Sequence, residues 1–157
     1  MLVDDIMTRD VVTVALDTSL AEVREIFQTH KFHHVLVIER GKAVGVLSDR
    51  DLLKHISPFI GKMAERPQDL FSLEKRAHQV MTRKLISVPP GTDVCTAAEH
   101  LAEHRVGCLP IIDERGRAVG IVSLRDLLRT LAAIVGCSFT DKTDEPEHPE
   151  EPGTQAA

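Results

Sequence analysis

The segment Gly41-Lys-Ala-Val-Gly-Val-Leu-Ser-Asp-Arg-Asp-Leu-Leu53 returns as Gly116-Arg-Ala-Val-Gly-Ile-Val-Ser-Leu-Arg-Asp-Leu-Leu128, so the body of the chain must be built from two copies of one unit. The correspondence extends upstream. Met7-Thr8-Arg9 answers Met81-Thr82-Arg83, while Val14, Thr18, Glu25 and His30 answer Val88, Thr92, Glu99 and His104. The offset is 74 residues at the front of the unit and 75 at its back, which places one extra residue in the turn near Arg115. A period this long exceeds that of a solenoid repeat and fits a duplicated small domain whose halves pack about a pseudo-twofold axis. Such a molecule has two related clefts in which to bind a ligand.

Composition narrows the class. A chain of 157 residues, 43% hydrophobic and 27% charged, is ordinary for a globular protein and has room for one body of two halves. No apolar run approaches the roughly 20 residues of a spanning helix. The start Met1-Leu-Val-Asp-Asp5 lacks the basic and then apolar layout of a secretory signal, so a cytoplasmic protein with no membrane partner is expected. Cys95, Cys108 and Cys137 are odd in number and form no C-x-x-C pair, which reads as free thiols. Of the 24 acids and 19 lysines and arginines, residues 141–157 hold six and one, leaving 18 of each in the first 140 residues. A balanced body without Tyr or Trp offers neither the basic face that duplex phosphates require nor the usual platforms for stacking bases, which argues against a nucleic-acid partner. Residues 137–157 form an acidic, proline-rich tail that is expected to be disordered.

Each copy reads as strand, helix, strand, strand, helix, an α/β (α+β) plan. Val11 to Val14 is a short β-type run, and Ser19 with Glu22 forms a capping signal ahead of the apolar positions Leu20, Val23, Ile26 and Phe27. Val35 to Ile38 and Ala43 to Leu47 are β-branched runs joined by a glycine-containing turn, and Ser48 heads a closing helix. The second copy repeats this through Ile86-Ser-Val88, Asp93 to Glu103, Leu109 to Ile112, Ala118 to Val122 and Leu124 to Val135. The expected division is repeat 1 at 1–57, a connector at 58–76, repeat 2 at 77–136 and the tail. After Asp69, the spacing of Leu70, Leu73, Ala77 and Val80 predicts a connector helix that runs into the second copy.

The pattern closest to chemistry is Gly-h-h-Ser-x-Arg-Asp, where h is apolar, found at Gly45 to Asp51 and at Gly120 to Asp126. It joins a buried strand to a helix N-terminus, where unsatisfied N–H groups and the helix dipole suit a phosphate, with a serine and an arginine as further donors. The aspartate one turn in can accept two ribose hydroxyls, and a strand glycine would let a flat base approach the backbone. A purely structural role competes: Ser-x-x-Asp at a helix start is also a capping box.

These residues, in this order and twice, resemble CBS domains of the cystathionine beta-synthase type, and the pair resembles a standalone Bateman module. The likeness covers residues 1 to about 135, including Thr18, Thr92 and the Leu109-Pro110 step. It implies a regulatory binding module holding an adenosyl ligand (AMP, ADP, ATP, NAD or S-adenosylmethionine) between the repeats, commonly as a homodimer. The ligand would be an effector, with no cofactor required. The resemblance further implies ribose contacts at Asp51 and Asp126, and phosphate contacts at Ser48, Arg50, Ser123 and Arg125. Adenine would lie against Val12 and Ile86. His33 and His34 would face phosphate, whereas the second copy has Gly107 and Cys108 there, and Leu36 stands where Pro110 follows the family pattern. The clefts are therefore unlike, and the Asp126 cleft, helped by His33, is the preferred site.

Rival readings remain open on the sequence. A ligand-free dimerisation scaffold would keep the repeats without the ligand. Metal binding could use His100 and His104, four apart on a helix, or His30, His33 and His34. No nucleophile elbow, P-loop or H-E-x-x-H pattern is present, so the expectation is a sensor rather than an enzyme, acting on a regulated protein that the chain does not identify.

Overall fold

The alternation of β-branched runs with capped amphipathic segments folds as two similar α+β halves, seen in a computed structural model that describes residues 1–30 and 32–137. The expected disordered tail lies outside the described residues apart from Cys137. In the first half β1 (Thr13–Ala15) runs parallel to β2 (His34–Glu39), which pairs antiparallel with β3 (Lys42–Ser48). Helix α1 (Val3–Ile6) precedes β1, α2 (Leu20–Thr29) links β1 to β2, and α3 (Asp49–His55) follows β3. The β2–β3 turn is tight because Arg40 and Gly41 both take positive φ, 49° and 78°, as a two-residue hairpin requires. Helix α2 begins at its sequence signal: Ser19 Oγ accepts from the Glu22 amide at 3.3 Å, and Glu22 Oε2 accepts from the Ser19 amide at 2.8 Å.

The connector holds α4 (Pro67–Leu70) and a 3-10 turn at Phe71–Glu74, and α5 (Ala77–Val80) opens the second half. There α6 (Val94–His104), β4 (Cys108–Ile112), β5 (Ala118–Ser123) and α7 (Leu124–Ile134) follow. Two expectations are corrected. The connector helix does not run into the second copy, because Lys75 and Arg76 are extended: Arg76 bridges to Ser19, and Lys75 O accepts from the Leu20 amide at 2.8 Å. Ile86-Ser-Val88 is not a strand either. Only Val88 pairs, in parallel with Ile111, and Pro89-Pro90 beyond it have no N–H with which to extend a ladder.

The halves exchange their first segments. Thr8 pairs with Ile121 of β5, and its repeat mate Thr82 pairs with Val46 of β3, each through two backbone hydrogen bonds of 2.8–3.1 Å. Val3 and Met7 thus enter the core formed by Val88, Ala97, Leu101, Leu109, Ile111 and Val122, while Ala77, Val80 and Met81 enter the core around Leu20, Val23, Val35, Val37 and Leu47. Burial on this scale, about 25 cal/mol per Å² of apolar surface, welds the halves into one body. Among the described residues, no helix is long and apolar enough to cross a membrane.

Candidate ligand clefts

Each Ser-x-x-Asp segment forms a complete capping box. Ser48 Oγ donates to Asp51 Oδ2 at 2.6 Å and accepts from the Asp51 amide at 3.1 Å, and the Ser48 amide donates to the same Oδ2 at 3.1 Å. In α7 the Ser123 hydroxyl and amide reach Asp126 Oδ2 at 2.6 and 2.7 Å, and the Asp126 amide reaches Ser123 Oγ at 3.4 Å. Capping and ribose binding are therefore compatible, since the cap occupies one carboxylate oxygen. Among the described residues Asp126 Oδ1 accepts no hydrogen bond, whereas Asp51 Oδ1 lies 3.9 Å from Lys54 Nζ. The helix N-termini are less open than the sequence suggests. The Leu124 amide donates to Gly107 O at 3.1 Å and the Asp49 amide to His33 O at 3.0 Å.

The two strand glycines are explained by packing. A Cβ on Gly45 would lie 2.5 Å from Met81 Sδ and 3.1 Å from Thr82 O, and a Cβ on Gly120 would clash with Met7. The exchanged segment of the opposite repeat, not a base, covers these positions.

One cavity with both repeats in its walls measures about 340 Å³. Val11, Val12, Phe32, His33 and His34 come from the first repeat and Ile121, Ser123, Arg125, Asp126 and Arg129 from the second, with Thr8 and Asp10 at the exchanged segment. Its size falls within the roughly 300–1,000 Å³ of small-molecule sites. Six of the residues singled out in the sequence meet here: Val12, His33, His34, Ser123, Arg125 and Asp126. The Asp51 side is divided. A hollow of about 140 Å³ holds Ser48, Asp51 and Ile86 with Lys84 and Cys108, and a groove of about 480 Å³ holds Ser48, Asp49, Arg50, Asp51 and Lys54.

His34 lines all three spaces, and its Nε2 lies 3.1 Å from where a Gly107 Cβ would be, so glycine at that position makes room for the imidazole. Burial pushes the His34 pKa below the usual histidine value, only partly opposed by Asp49 and Asp51. His33 is more exposed, and its Nδ1 sits 2.7 Å from Asp49 Oδ2. Cys108, the repeat mate of His34, is buried and its thiol pKa is pushed up to about 12. Arg129 and Thr8 line the cavity without having been singled out in the sequence. The signal for Arg129 was its repeat mate Lys54, a second basic residue three positions after the motif aspartate.

The histidines proposed for metal binding do not cluster. The rings of His100 and His104 stack at 5.6 Å and those of His30 and Phe32 at 5.3 Å, and among the described residues no three His, Cys, Asp or Glu side chains converge as a metal site.

Duplicated halves, an exchanged first segment and a cavity walled by both repeats define a tandem-repeat module with clefts between its halves. The chain belongs to the CBS domain family, whose model matches residues 3–58 and 77–133. A CBS domain-containing protein of Dictyostelium discoideum is 29% identical over 137 residues, spanning 86% of this chain and 94% of that protein. The solved CBS domain pair of protein MJ0100 superposes with a TM-score of 0.72 at 24% identity, covering 85% of this chain and 98% of that one. CBSX2, solved in complex with AMP, is 29% identical with a TM-score of 0.70, covering 85% of this chain and 98% of that one.

Proposed function

We propose that this protein is a regulatory module that senses an adenosyl ligand in the cavity ending at Asp126 and signals to a partner protein. The observation that carries this reading is the convergence of Val12, His33, His34, Ser123, Arg125 and Asp126, drawn from both repeats, on one cavity of suitable volume. In the proposed pose adenine lies against Val12 and Ile121, Asp126 Oδ1 accepts from the ribose, and the 5′ substituent points toward the basic side chains. The AMP complex of CBSX2 supports an adenosine effector, with AMP, ADP, ATP, NAD and S-adenosylmethionine as the candidates. The Asp51 side, with Ser48, Arg50 and Ile86, is a secondary site because its space is divided.

A ligand that touches residues 1–57 and 77–136 together favours one arrangement of the two repeats over others, and this differential contact is what a partner can read. In this reading the protein acts by binding and not by catalysis. We further assign the protein as a cytoplasmic homodimer without nucleic-acid or membrane partners. Support for the dimer comes from α7, which buries no residue although Leu124, Leu128, Leu131 and Ile134 are each more than half exposed. That face also favours the second reading, a ligand-free dimerisation scaffold.

The test is thermal unfolding against AMP, ADP, ATP, NAD, S-adenosylmethionine and zinc, with Asp126→Asn beside the wild type. Ligand at 100 times its Kd adds about 2.7 kcal/mol, worth roughly 5 to 11 °C for a chain of this size. A shift with an adenosyl ligand that Asp126→Asn loses supports the sensor. No shift with any nucleotide leaves the scaffold, and a shift with zinc alone overturns both.

A further inference from the structure

The repeats agree through Met7-Thr8-Arg9 and Met81-Thr82-Arg83, yet the next pair carries opposite charge: Asp10 answers Lys84. The fold uses both arginines in the same way, since each donates to a carbonyl five residues back, Asp4 O at 3.0 Å and His78 O at 2.9 Å. It uses neither member of the charged pair. Asp10 and Lys84 are exposed, and among the described residues neither side chain makes a hydrogen bond or ion pair. Each stands two residues before the apolar residue assigned to the base, Val12 in the first repeat and Ile86 in the second. Asp10 lines the cavity ending at Asp126 together with Val12, and Lys84 lines the hollow beside Asp51 together with Ile86. The base ends of the two clefts therefore carry free charges of opposite sign.

Purines differ where such a charge is felt. The 6-amino group of adenine offers N–H donors, whereas the 6-oxo group of hypoxanthine or guanine offers acceptor lone pairs. An ionised carboxylate only accepts and an ammonium only donates. A site built to pair with one substituent rejects the analogue that lacks it, because the polar group is then left without its partner.

We propose that Asp10 selects a 6-aminopurine in the cavity ending at Asp126, and that Lys84 turns the equivalent position beside Asp51 toward a 6-oxopurine. The inference rests on the adenosyl reading above and adds the residues that choose the base. The two clefts then read different purine nucleotides rather than one ligand twice.

The experiment is calorimetric titration of AMP and IMP, which share ribose and phosphate and differ only in the base. The proteins are wild type, Asp10→Asn, Asp10→Lys, Asp126→Asn and the double variant Asp126→Asn with Lys84→Asp. At its principal site the wild type should bind AMP at least about tenfold tighter than IMP, the factor that 1.4 kcal/mol represents. Asp10→Lys should bring that ratio to one or below, while Asp10→Asn, which keeps a carbonyl acceptor, should retain part of it. In Asp126→Asn the site left beside Asp51 should favour IMP, and adding Lys84→Asp should abolish that preference. Equal affinities in the wild type, or a ratio unmoved in Asp10→Lys, overturn the role of Asp10 while AMP binding keeps the adenosyl reading. Absence of an IMP preference in Asp126→Asn overturns the role of Lys84. If the wild type binds neither nucleotide, the inference falls; binding of S-adenosylmethionine in that case keeps the adenosyl reading, and its absence removes both.

Discussion

Replacing Gly45 by alanine tests the exchange of first segments between the repeats. The added Cβ would sit 2.5 Å from Met81 Sδ, 3.1 Å from Met81 Cγ and 3.1 Å from the Thr82 carbonyl oxygen. The thioether is flexible and can swing away. Thr82 O cannot do so cheaply, because it accepts from the Val46 amide at 3.1 Å in the bridge that joins the second repeat to β3. Overpacking of this kind costs about 1–3 kcal/mol, or roughly 2 to 12 °C in Tm for a chain of this length. Urea denaturation followed by circular dichroism would measure it. Met81→Ala alone should cost about 2–5 kcal/mol, as deletion of a buried methionine does, and the double variant should cost less than the sum, because the first change removes the atoms that the second meets. Gly45 is not among the glycines with positive φ, so alanine there carries no left-handed strain and the loss reports the clash. A neutral Gly45→Ala, or strict additivity with Met81→Ala, would refute the packing argument and return Gly45 to the role of admitting a ligand.

Cys95 and Cys137 are exposed while the Cys108 thiol is buried with its pKa near 12, so a disulfide reagent at pH 8 should titrate two thiols quickly and the third only after denaturation. Burial lowers the His34 pKa, so the unfolded chain takes up a proton there before the folded one does. Stability should therefore fall as pH drops below about 6.5, the unperturbed histidine value. His34→Gln should flatten that limb of a Tm-against-pH curve, and an unaltered limb would contradict the assignment. Leu128→Asp on the exposed face of α7 should convert a dimer to a monomer in sedimentation without loss of helix content, and a monomeric wild type would remove the dimer proposal.

Much of the fold was legible because its signals are local and occur twice. Capping at Ser19, Ser48 and Ser123, the Arg40-Gly41 turn and the β-branched runs depend on near neighbours, so residue type decides them. The exchanged segments were not legible. Met7 and Met81 are read as local residues along the chain, whereas their partners Gly120 and Gly45 lie in the opposite repeat, and no local pattern encodes that pairing. Those glycines were consequently read as openings for a base. The connector helix failed for a related reason: Lys75 and Arg76 have helical neighbours but are drawn into extended pairing with the start of α2. At the site, the motif aspartates were identifiable from the repeat, but Arg129 fell beyond the point where the pattern was cut. The single space of 340 Å³ on one side and the divided spaces of 140 Å³ and 480 Å³ on the other depend on side-chain packing between the repeats, where His34 faces Gly107.

The central claim is that the cavity ending at Asp126 holds the adenosyl ligand. Calorimetric titration of AMP into Asp126→Asn and Asp51→Asn tests it most directly, because asparagine keeps an oxygen for the serine cap and removes the carboxylate charge. The account expects Asp126→Asn to lose the principal binding event and Asp51→Asn to retain it. Retention in Asp126→Asn with loss in Asp51→Asn would contradict it and place the ligand on the divided side of the molecule.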